Sequence, residues 1–494
     1  MFCHGDPQAL YRLSGVAAAV SLLPLVALFY AAIVWSSYAF YREIPWSHGP
    51  SLRAMGKRWL LVVASWLVAI GVGAACGACE SNTNSGNTDN IDIDRGDPGG
   101  CLAWAALACA AGLAVVAFRW ILDTRRSAVV GVDAPPGPFG LEGRFFVVTG
   151  ANNGIGRETT RLLAAQGATV AMLCRNPVRA KNAAREILEE QSVASANDSG
   201  GRTPLVRKDQ LVFVPIDLTD FSSVHRAVGA IRQHLDLRSS PQKRARVDAL
   251  VCNAGLMMGT QSKTKDGLET MMQANHLGHF LLTKLMLESG MLETTVEEGG
   301  TGEPSRVCLL TSSTYEFAAS AGGFDFEDPY CSKGKRAYTL FGQYSMTKLA
   351  NLLTARELAR RYNDKNHNRA LAVFAVHPGI VRTNVTSNMN WYYRLGNTAF
   401  GWIVASLSKT PEEGAYSTVE VVGAPLSELG DYWSRGSFVV NCRESTNTHG
   451  YVRGPAGERD AGRLWEWSEE QLELFGAAGG TPAKAAEAGE KKEQ

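Results

Sequence analysis

The chain changes its hydrophobic pattern once, and the change divides it in two. Between Arg12 and Arg42 no residue is charged, and the run includes LSGVAAAVSLLPLVALFYAAIVW. About 20 apolar residues suffice to cross a bilayer, so this run reads as a membrane span with a kink at Pro24. A second uncharged run covers Trp59 to Cys79, and a third, richer in alanine, covers Cys101 to Phe118. The expected spans are 13–38, 59–79 and 101–122 within a membrane region at 1–130, with two spans as the alternative if the third run is interfacial or buried. The first run is longer than the apolar core of a cleaved signal peptide, which favours a retained anchor.

After residue 143 the pattern alternates short, almost wholly apolar runs with helical stretches. Strands are expected at 145–149 (FFVVT), 169–174 (TVAMLC), 211–216 (LVFVPI), 247–252 (VDALVC), 306–311 (RVCLLT), 371–376 (LAVFAV) and 437–442 (SFVVNC). Continuous apolar character suits strands covered on both faces. With helices such as ETTRLLAAQ and SMTKLANLLTARELARRY between them, the fold class expected is α/β, a Rossmann-like doubly wound sheet of seven parallel strands over 143–475. PPGP at 135–138 marks a linker at 131–142, residues 191–210 and 294–305 read as polar surface insertions, and 476–494 reads as a disordered tail.

Charge then orients the membrane part. Arg42, Arg53, Lys57 and Arg58 lie between the first two runs, and Arg119, Arg125 and Arg126 follow the third. The loop between runs two and three holds Arg95 amid Glu80, Asp89, Asp92, Asp94 and Asp97. Three spans put both basic segments on one side, so the α/β part should face the cytosol. The net charge of +1 gives no general attraction to nucleic acid, and none is expected as a partner. Ten cysteines, scattered, make no disulfide framework; Cys174, Cys252, Cys308 and Cys442 fall in strand-like runs as small buried hydrophobes. Cys76 and Cys79 have redox spacing, but no second pair completes a zinc site and no βαβ pattern surrounds them. His276 and His279 lack a nearby third ligand, so no metal is expected and helix packing is their reading.

The first strand runs into Thr149-Gly150-Ala151-Asn152-Asn153-Gly154-Ile155-Gly156 and then a helix. Glycines there allow a tight turn and close backbone approach to a pyrophosphate, and the helix N-terminus supplies free N–H groups. Where an NAD site would carry a carboxylate at the end of the second strand, Arg175 stands, with no acid until Glu186. A guanidinium suits a 2′-phosphate, so NADP(H) is expected, and Asn153, in place of a second basic residue, leaves NAD(H) open. Tyr344 and Lys348 lie four apart on one helix; an ammonium one turn away favours the phenolate.

Together, TGANNGIG, Asn253-Ala254-Gly255, Tyr344-Ser-Met-Thr-Lys348 and His377-Pro378-Gly379 resemble, in order and spacing, the motifs of the short-chain dehydrogenase/reductase family over roughly 140–470. QANHLGHFLLT, YSMTKLANLLTARELARR and HPGIVRTNV resemble its retinol-dehydrogenase-like branch. The resemblance implies Tyr344 as general acid/base, with Lys348 tuning it and holding the nicotinamide ribose. It implies Ser312 (or, one residue along, Ser313) hydrogen-bonded to the substrate oxygen, and Asn275 holding a water for proton relay; as a bare residue Asn275 could equally satisfy helix backbone at a kink. It places Gly150, Asn152, Asn153, Gly154, Ile155, Gly156, Arg175, Asp217, Leu218, Asn253, Ala254, Gly255, Pro378, Gly379 and Thr383 along the cofactor; Asp217 could equally cap the helix after it. It makes Ile380 to about Lys409 a substrate lid, whose Trp391, Tyr392, Tyr393, Phe400 and Trp402 suit an apolar substrate or contact with the bilayer, a packed helix pair being the alternative. Dimerisation through the Tyr344 helix, and endoplasmic reticulum or lipid droplet as the membrane, are also implied. The expected activity is interconversion of a hydrophobic alcohol and its carbonyl; the alternative is a membrane scaffold or NADP(H) sensor keeping the fold.

Overall fold

The computed structural model describes residues 135–197, 206–239, 245–293, 303–334, 336–363, 370–381 and 408–475. The expected spans, the Cys76–Cys79 pair, the tail, Thr383 and the five lid aromatics lie outside these residues. Among the described residues, no helix is long and apolar enough to cross a membrane.

In chain order the elements are β1 (Phe145–Thr149), α1 (Gly154–Ala165), β2 (Thr169–Cys174), α2 (Pro177–Asn197), β3 (Leu211–Pro215), α3 (Phe221–Arg238) and β4 (Ala249–Cys252). A short helix α4 (Thr270–Met272) runs through a π turn (Gln273–Leu277) into α5 (Gly278–Glu288). Then come β5 (Arg306–Leu310), α6 (Tyr315–Ser320), α7 (Leu340–Tyr362), β6 (Ala372–His377), α8 (Pro411–Gly423), β7 (Ser437–Val440), β8 (Arg443–Glu444) and α9 (Pro455–Leu474).

The sheet order is β3-β2-β1-β4-β5-β6-β7-β8. The first seven strands pair in parallel and reverse direction of winding next to β1, which opens a crevice at the carboxyl ends of β1 and β4. Side chains alternate between two apolar layers. Phe145, Val147, Ala171 and Leu173 join one layer with α3, α5, α7 and α9; Phe146, Val148, Val170 and Met172 join the other with α1, α2 and α8. Both faces are covered, which explains why the strands read as unbroken apolar runs.

Several expectations change. The sheet has eight strands rather than seven, because Asn441 and Cys442 adopt left-handed φ of 53° and 59° and turn the chain back as antiparallel β8. Two such residues make a tight hairpin turn, so Cys442 is a turn residue and not part of a strand. The insertion expected from residue 191 begins as helix, since α2 continues to Asn197, and Gln210 is buried, donating to the Ala164 and Ala168 carbonyls. Glu303, at the end of the second insertion, pairs with Arg306. The linker is already packed by Phe139, whose N–H donates to Gln166 Oε1 at 2.8 Å.

α7 has no free face in mid-helix, since every residue from Ser345 to Ala355 is buried. Part of that cover is α9. Trp465 stacks edge-on against Phe280 at 4.8 Å and lies under the Arg361 guanidinium at 4.7 Å, while Trp467 stacks on His276.

Candidate active site

The glycine turn is shaped by what surrounds it. Gly150 has φ +67° and its N–H donates to Leu173 O at 2.8 Å, tying the turn to β2. A Cβ on Gly156 would fall 2.3 Å from Asn253 Nδ2 and 2.4 Å from Gly150 O, so glycine alone fits. Gly154 has φ +54°, and Asn153, exposed and extended at φ −159°, leaves the start of α1 without a side-chain cap or an acid in its first turn. Those uncapped N–H groups are the donors a pyrophosphate needs. Asn152 and Ile155 are half-buried, the latter reaching the side of α8 near Gly414.

The next loop closes over this turn. Asn253 Nδ2 donates to Thr149 O at 2.7 Å, and Ala254 N–H donates to Thr149 Oγ1 at 2.9 Å. His279 Nε2 lies 2.9 Å from that hydroxyl, and its Nδ1 lies 3.2 Å from Asn275 O. A carbonyl only accepts, so Nδ1 carries the hydrogen and the Thr149 hydroxyl donates to Nε2. Burial pushes His279 down to about 4, consistent with this neutral form. His279 is thus part of the site's framework, whereas His276 follows the packing expectation, bonded to Ser468 Oγ at 2.9 Å. Among the described residues no His/Cys/Asp/Glu cluster suits a metal.

Asn275 sits in the π turn, a conformation that recurs at functional sites because it re-aims one side chain. Its Oδ1 accepts from Leu256 N–H at 2.8 Å; its Nδ2 donates to Leu256 O at 3.0 Å and to Thr347 Oγ1 at 3.2 Å. Thr347 Oγ1 donates in turn to Tyr344 O at 2.8 Å. A Cβ on Gly255 would stand 3.6 Å from Lys348 Nζ and 3.7 Å from Asn275 Oδ1, so this loop, the π turn and α7 converge on one spot.

Tyr344 and Lys348 share one face of α7, with Nζ 5.4 Å from the phenol ring centroid. Nζ donates to Leu310 O at 3.0 Å, at the end of β5, and Asn351 Nδ2 donates to the same carbonyl at 3.0 Å. Ser312 lies two residues beyond, half-buried, with Oγ accepting weakly from Thr314 N–H at 3.3 Å; Ser313 is equally half-buried. Burial pushes the Tyr344 phenol up to about 12 and Lys348 down to about 8. The sequence reading had the lysine lowering the phenol. Desolvation is the cause of both shifts, and the hydrogen bond that Nζ makes goes to the Leu310 carbonyl.

The outer positions divide. Arg175 is exposed just past β2, and among the described residues no carboxylate lies within ion-pair reach of it; Glu186 pairs with Arg157 instead. Asp217 does not cap α3: its Oδ1 accepts from Thr219 N–H at 3.0 Å and Thr219 Oγ1 at 2.6 Å, and Asp220 holds the cap position. Leu218 is buried against Gly278. Pro378 and Gly379 (φ +88°) follow β6, and the stem of buried Lys409 covers Gly379. Lys409 N–H donates to Ile380 O at 2.7 Å, so both edges of the expected lid meet beside the cofactor crevice. Thr149, Thr347 and His279, not singled out as site residues from sequence, join these parts; only Thr149 carried a signal, as the first residue of the TGxxxGxG turn.

Comparison with known proteins agrees with this arrangement. Residues 144–301 match the model of the short chain dehydrogenase family. Retinol dehydrogenase 14 of Mus musculus is 33% identical over 335 residues, covering 68% of this chain and 87% of that protein. Retinol dehydrogenase 12 of Mus musculus is 37% identical over 340 residues, 67% and 87% of the respective chains. Polyprenol dehydrogenase of Homo sapiens is 30% identical over 348 residues, 70% and 90%. Among solved structures, an uncharacterised protein from Mycobacterium Paratuberculosis covers 69% of this chain and 96% of its own at 28% identity and TM-score 0.45. Members of this family work with nicotinamide dinucleotides, and the glycine turn, the uncapped helix and the buried lysine are what such a cofactor requires. The chain belongs to the short-chain dehydrogenase/reductase family.

Proposed function

We propose that this chain is a membrane-anchored, NADP(H)-dependent oxidoreductase that interconverts a hydrophobic alcohol and its aldehyde or ketone, of retinoid, steroid or other lipid-like kind. The observation that carries the reading is the convergence of Tyr344, Lys348 and Asn275 on the loop at Gly255, beside a glycine turn that fits a dinucleotide. Relatives named for retinol and polyprenol, both long apolar alcohols, support the substrate class. The three uncharged runs before residue 130 support the anchor, with the α/β part towards the cytosol at the endoplasmic reticulum or a lipid droplet.

When bound, the dihydronicotinamide supplies a hydride to the carbonyl carbon. Tyr344 gives its phenolic proton to the carbonyl oxygen as the negative charge develops there, and Ser312 donates a hydrogen bond to that oxygen. Burial pushes the phenol up to about 12, so Tyr344 holds its proton until charge develops on the carbonyl oxygen. Lys348 holds the nicotinamide ribose beside Tyr344, and Asn275 holds a water through which the replacement proton reaches it. Asp217 and Leu218 would line the adenine side of the cofactor, Asn253, Ala254 and Gly255 the ribose side, and Pro378 and Gly379 the nicotinamide side. Arg175, with no acid in ion-pair reach among the described residues, supports the 2′-phosphate and hence NADP(H). A homodimer through the Tyr344 helix belongs to the same reading.

Purified full-length protein in detergent, given NADPH or NADH and a panel of long-chain and polyene aldehydes, tests the reading. NADPH consumption is expected, and Tyr344→Phe should lower kcat by about 100-fold or more with NADPH affinity kept. Turnover unchanged in Tyr344→Phe rejects the mechanism; no turnover on any substrate favours a cofactor sensor or scaffold.

A further inference from the structure

Asn275 and Tyr344 come from different elements, and one hydrogen-bonded chain, Asn275–Thr347–Tyr344, joins them. A second connection exists upstream of both. Glu269 is buried at 3% exposure at the entry to α4, six residues before Asn275. Its two oxygens accept four hydrogen bonds. Oε1 takes Met271 N–H at 2.9 Å and the Tyr338 hydroxyl at 3.1 Å; Oε2 takes Met272 N–H at 2.8 Å and Gln343 Nε2 at 2.9 Å. Among the described residues no lysine or arginine pairs with it. A carboxylate so placed is held by neutral donors alone, and all its acceptor sites are spent.

The donors fall in two groups. Met271 and Met272 begin the turn that becomes the π segment carrying Asn275. Tyr338 and Gln343 belong to the entry of α7, and Gln343, fully buried, is the residue next to Tyr344. Gln343 Nε2 also donates to Pro329 O at 3.0 Å, and its Oε1 accepts from Arg336 Nη2 at 2.7 Å, which fixes which way the amide faces. Glu269 therefore caps one element and grips the other. With Asn275–Thr347 as the second tie, the π turn and the start of α7 are joined at two points.

We propose that Glu269 is a positioning residue of the active site, setting the separation of Asn275 from Tyr344 through Gln343. The inference rests on the function proposed above. Its effect is geometric, since burial alone accounts for the Tyr344 phenol and no charge from Glu269 reaches it. A misplacement of about 1 Å at a reacting pair is enough for a rate loss on the order of 100-fold.

The polarity of the tie makes a swap available. Glu269→Gln turns an amide towards the Gln343 amide and the Met272 N–H, donor against donor. Gln343→Glu sets two carboxylates together. The double variant restores the amide–carboxylate bond between the two side chains with its sense reversed, and Arg336 then faces the new carboxylate, while Met272 N–H and Pro329 O each lose their side-chain partner. In full-length protein, each single substitution should lower kcat for aldehyde reduction by about 10-fold to 100-fold, with the NADPH dissociation constant within about 2-fold of the parent. The double variant should regain part of that loss, with kcat above that of the slower single variant. Parental kcat in Glu269→Gln, or a double variant as slow as the slower single one, overturns the inference. If Glu269→Gln does not fold, Gln343→Leu serves: it leaves the Met271 and Met272 caps intact, and should show the same kcat loss. Amide hydrogen exchange over Gln273–Leu277 gives a readout independent of turnover, expected to quicken in Gln343→Leu. Unchanged exchange there overturns the coupling, even in a protein that reduces none of the aldehydes. Absence of turnover in the parent itself counts against the proposed function and not against this tie.

Discussion

At the scale of single residues, the electrostatics of the site are dominated by removal from water. Tyr344 is driven up and Lys348 down by burial, in opposite directions to mutual activation, and both shifts favour a phenol that holds its proton. The spacing of Tyr344 and Lys348 was legible because i and i+4 share a helix face whatever the tertiary context. The acceptor that Lys348 finds was not, since Leu310 lies 38 residues away and offers only a backbone carbonyl. Arg175 belongs to the same scale. As an exposed guanidinium without an acid partner, its worth to a phosphate is that of a charge-assisted hydrogen bond, about 1.5–3 kcal/mol. Arg175→Ala is expected to raise the NADPH dissociation constant by about 10-fold to 100-fold and leave that for NADH nearly unchanged. Parallel fluorescence titrations with the two nucleotides check this, and equal weakening of both would remove the argument for NADP(H).

At the scale of elements, seven strands could be placed within a residue or two because each is apolar throughout, which only a doubly covered sheet demands. β8 escaped because its hairpin turns on Asn441-Cys442; without a glycine the pair carries little sign that both residues take left-handed φ. The π turn was legible only as a kink at Asn275, since QANHL has no breaker, and the Leu256 backbone that Asn275 bonds there lies 19 residues away. The glycine turn, by contrast, was legible to the residue. Gly156→Ala would drive a methyl into the Gly150 carbonyl and the Asn253 amide, so backbone must move. Overpacking of this sort costs about 1–3 kcal/mol. The expected outcome is a lower melting temperature together with NADPH binding weakened at least about 10-fold, measured by thermal melts and titration on the same preparation.

At the scale of the whole molecule, three histidines are buried without charge. Burial drives His276 to about 3, His279 to about 4 and His377 to about 3. In the unfolded chain each would titrate near about 6.5. Below that value the unfolded state takes up protons that the folded state refuses, so stability falls as pH falls, continuing down to the folded values. For three such groups the loss from about pH 7.5 to about pH 5.5 is on the order of 4 kcal/mol. Urea unfolding at those two pH values tests it, and His276→Phe, which keeps the stack on Trp467, should remove about a third of the loss. A midpoint indifferent to pH in this range would show that these rings are protonated in place. The sequence flagged His276 and His279 as packing residues, but His276 owes its cover to α9, whose Ser468 and Trp467 meet its ring from the far end of the domain.

That late arrival has a consequence during synthesis. α9, at Pro455–Leu474, closes over a helix that leaves the ribosome a hundred residues earlier, and Trp465 and Trp467 seat beside side chains that have waited uncovered through all that translation. Until that helix emerges, the nascent chain bears a raw greasy flank beside the helix of Tyr344. Burial of that flank is thus tied to synthesis of α9.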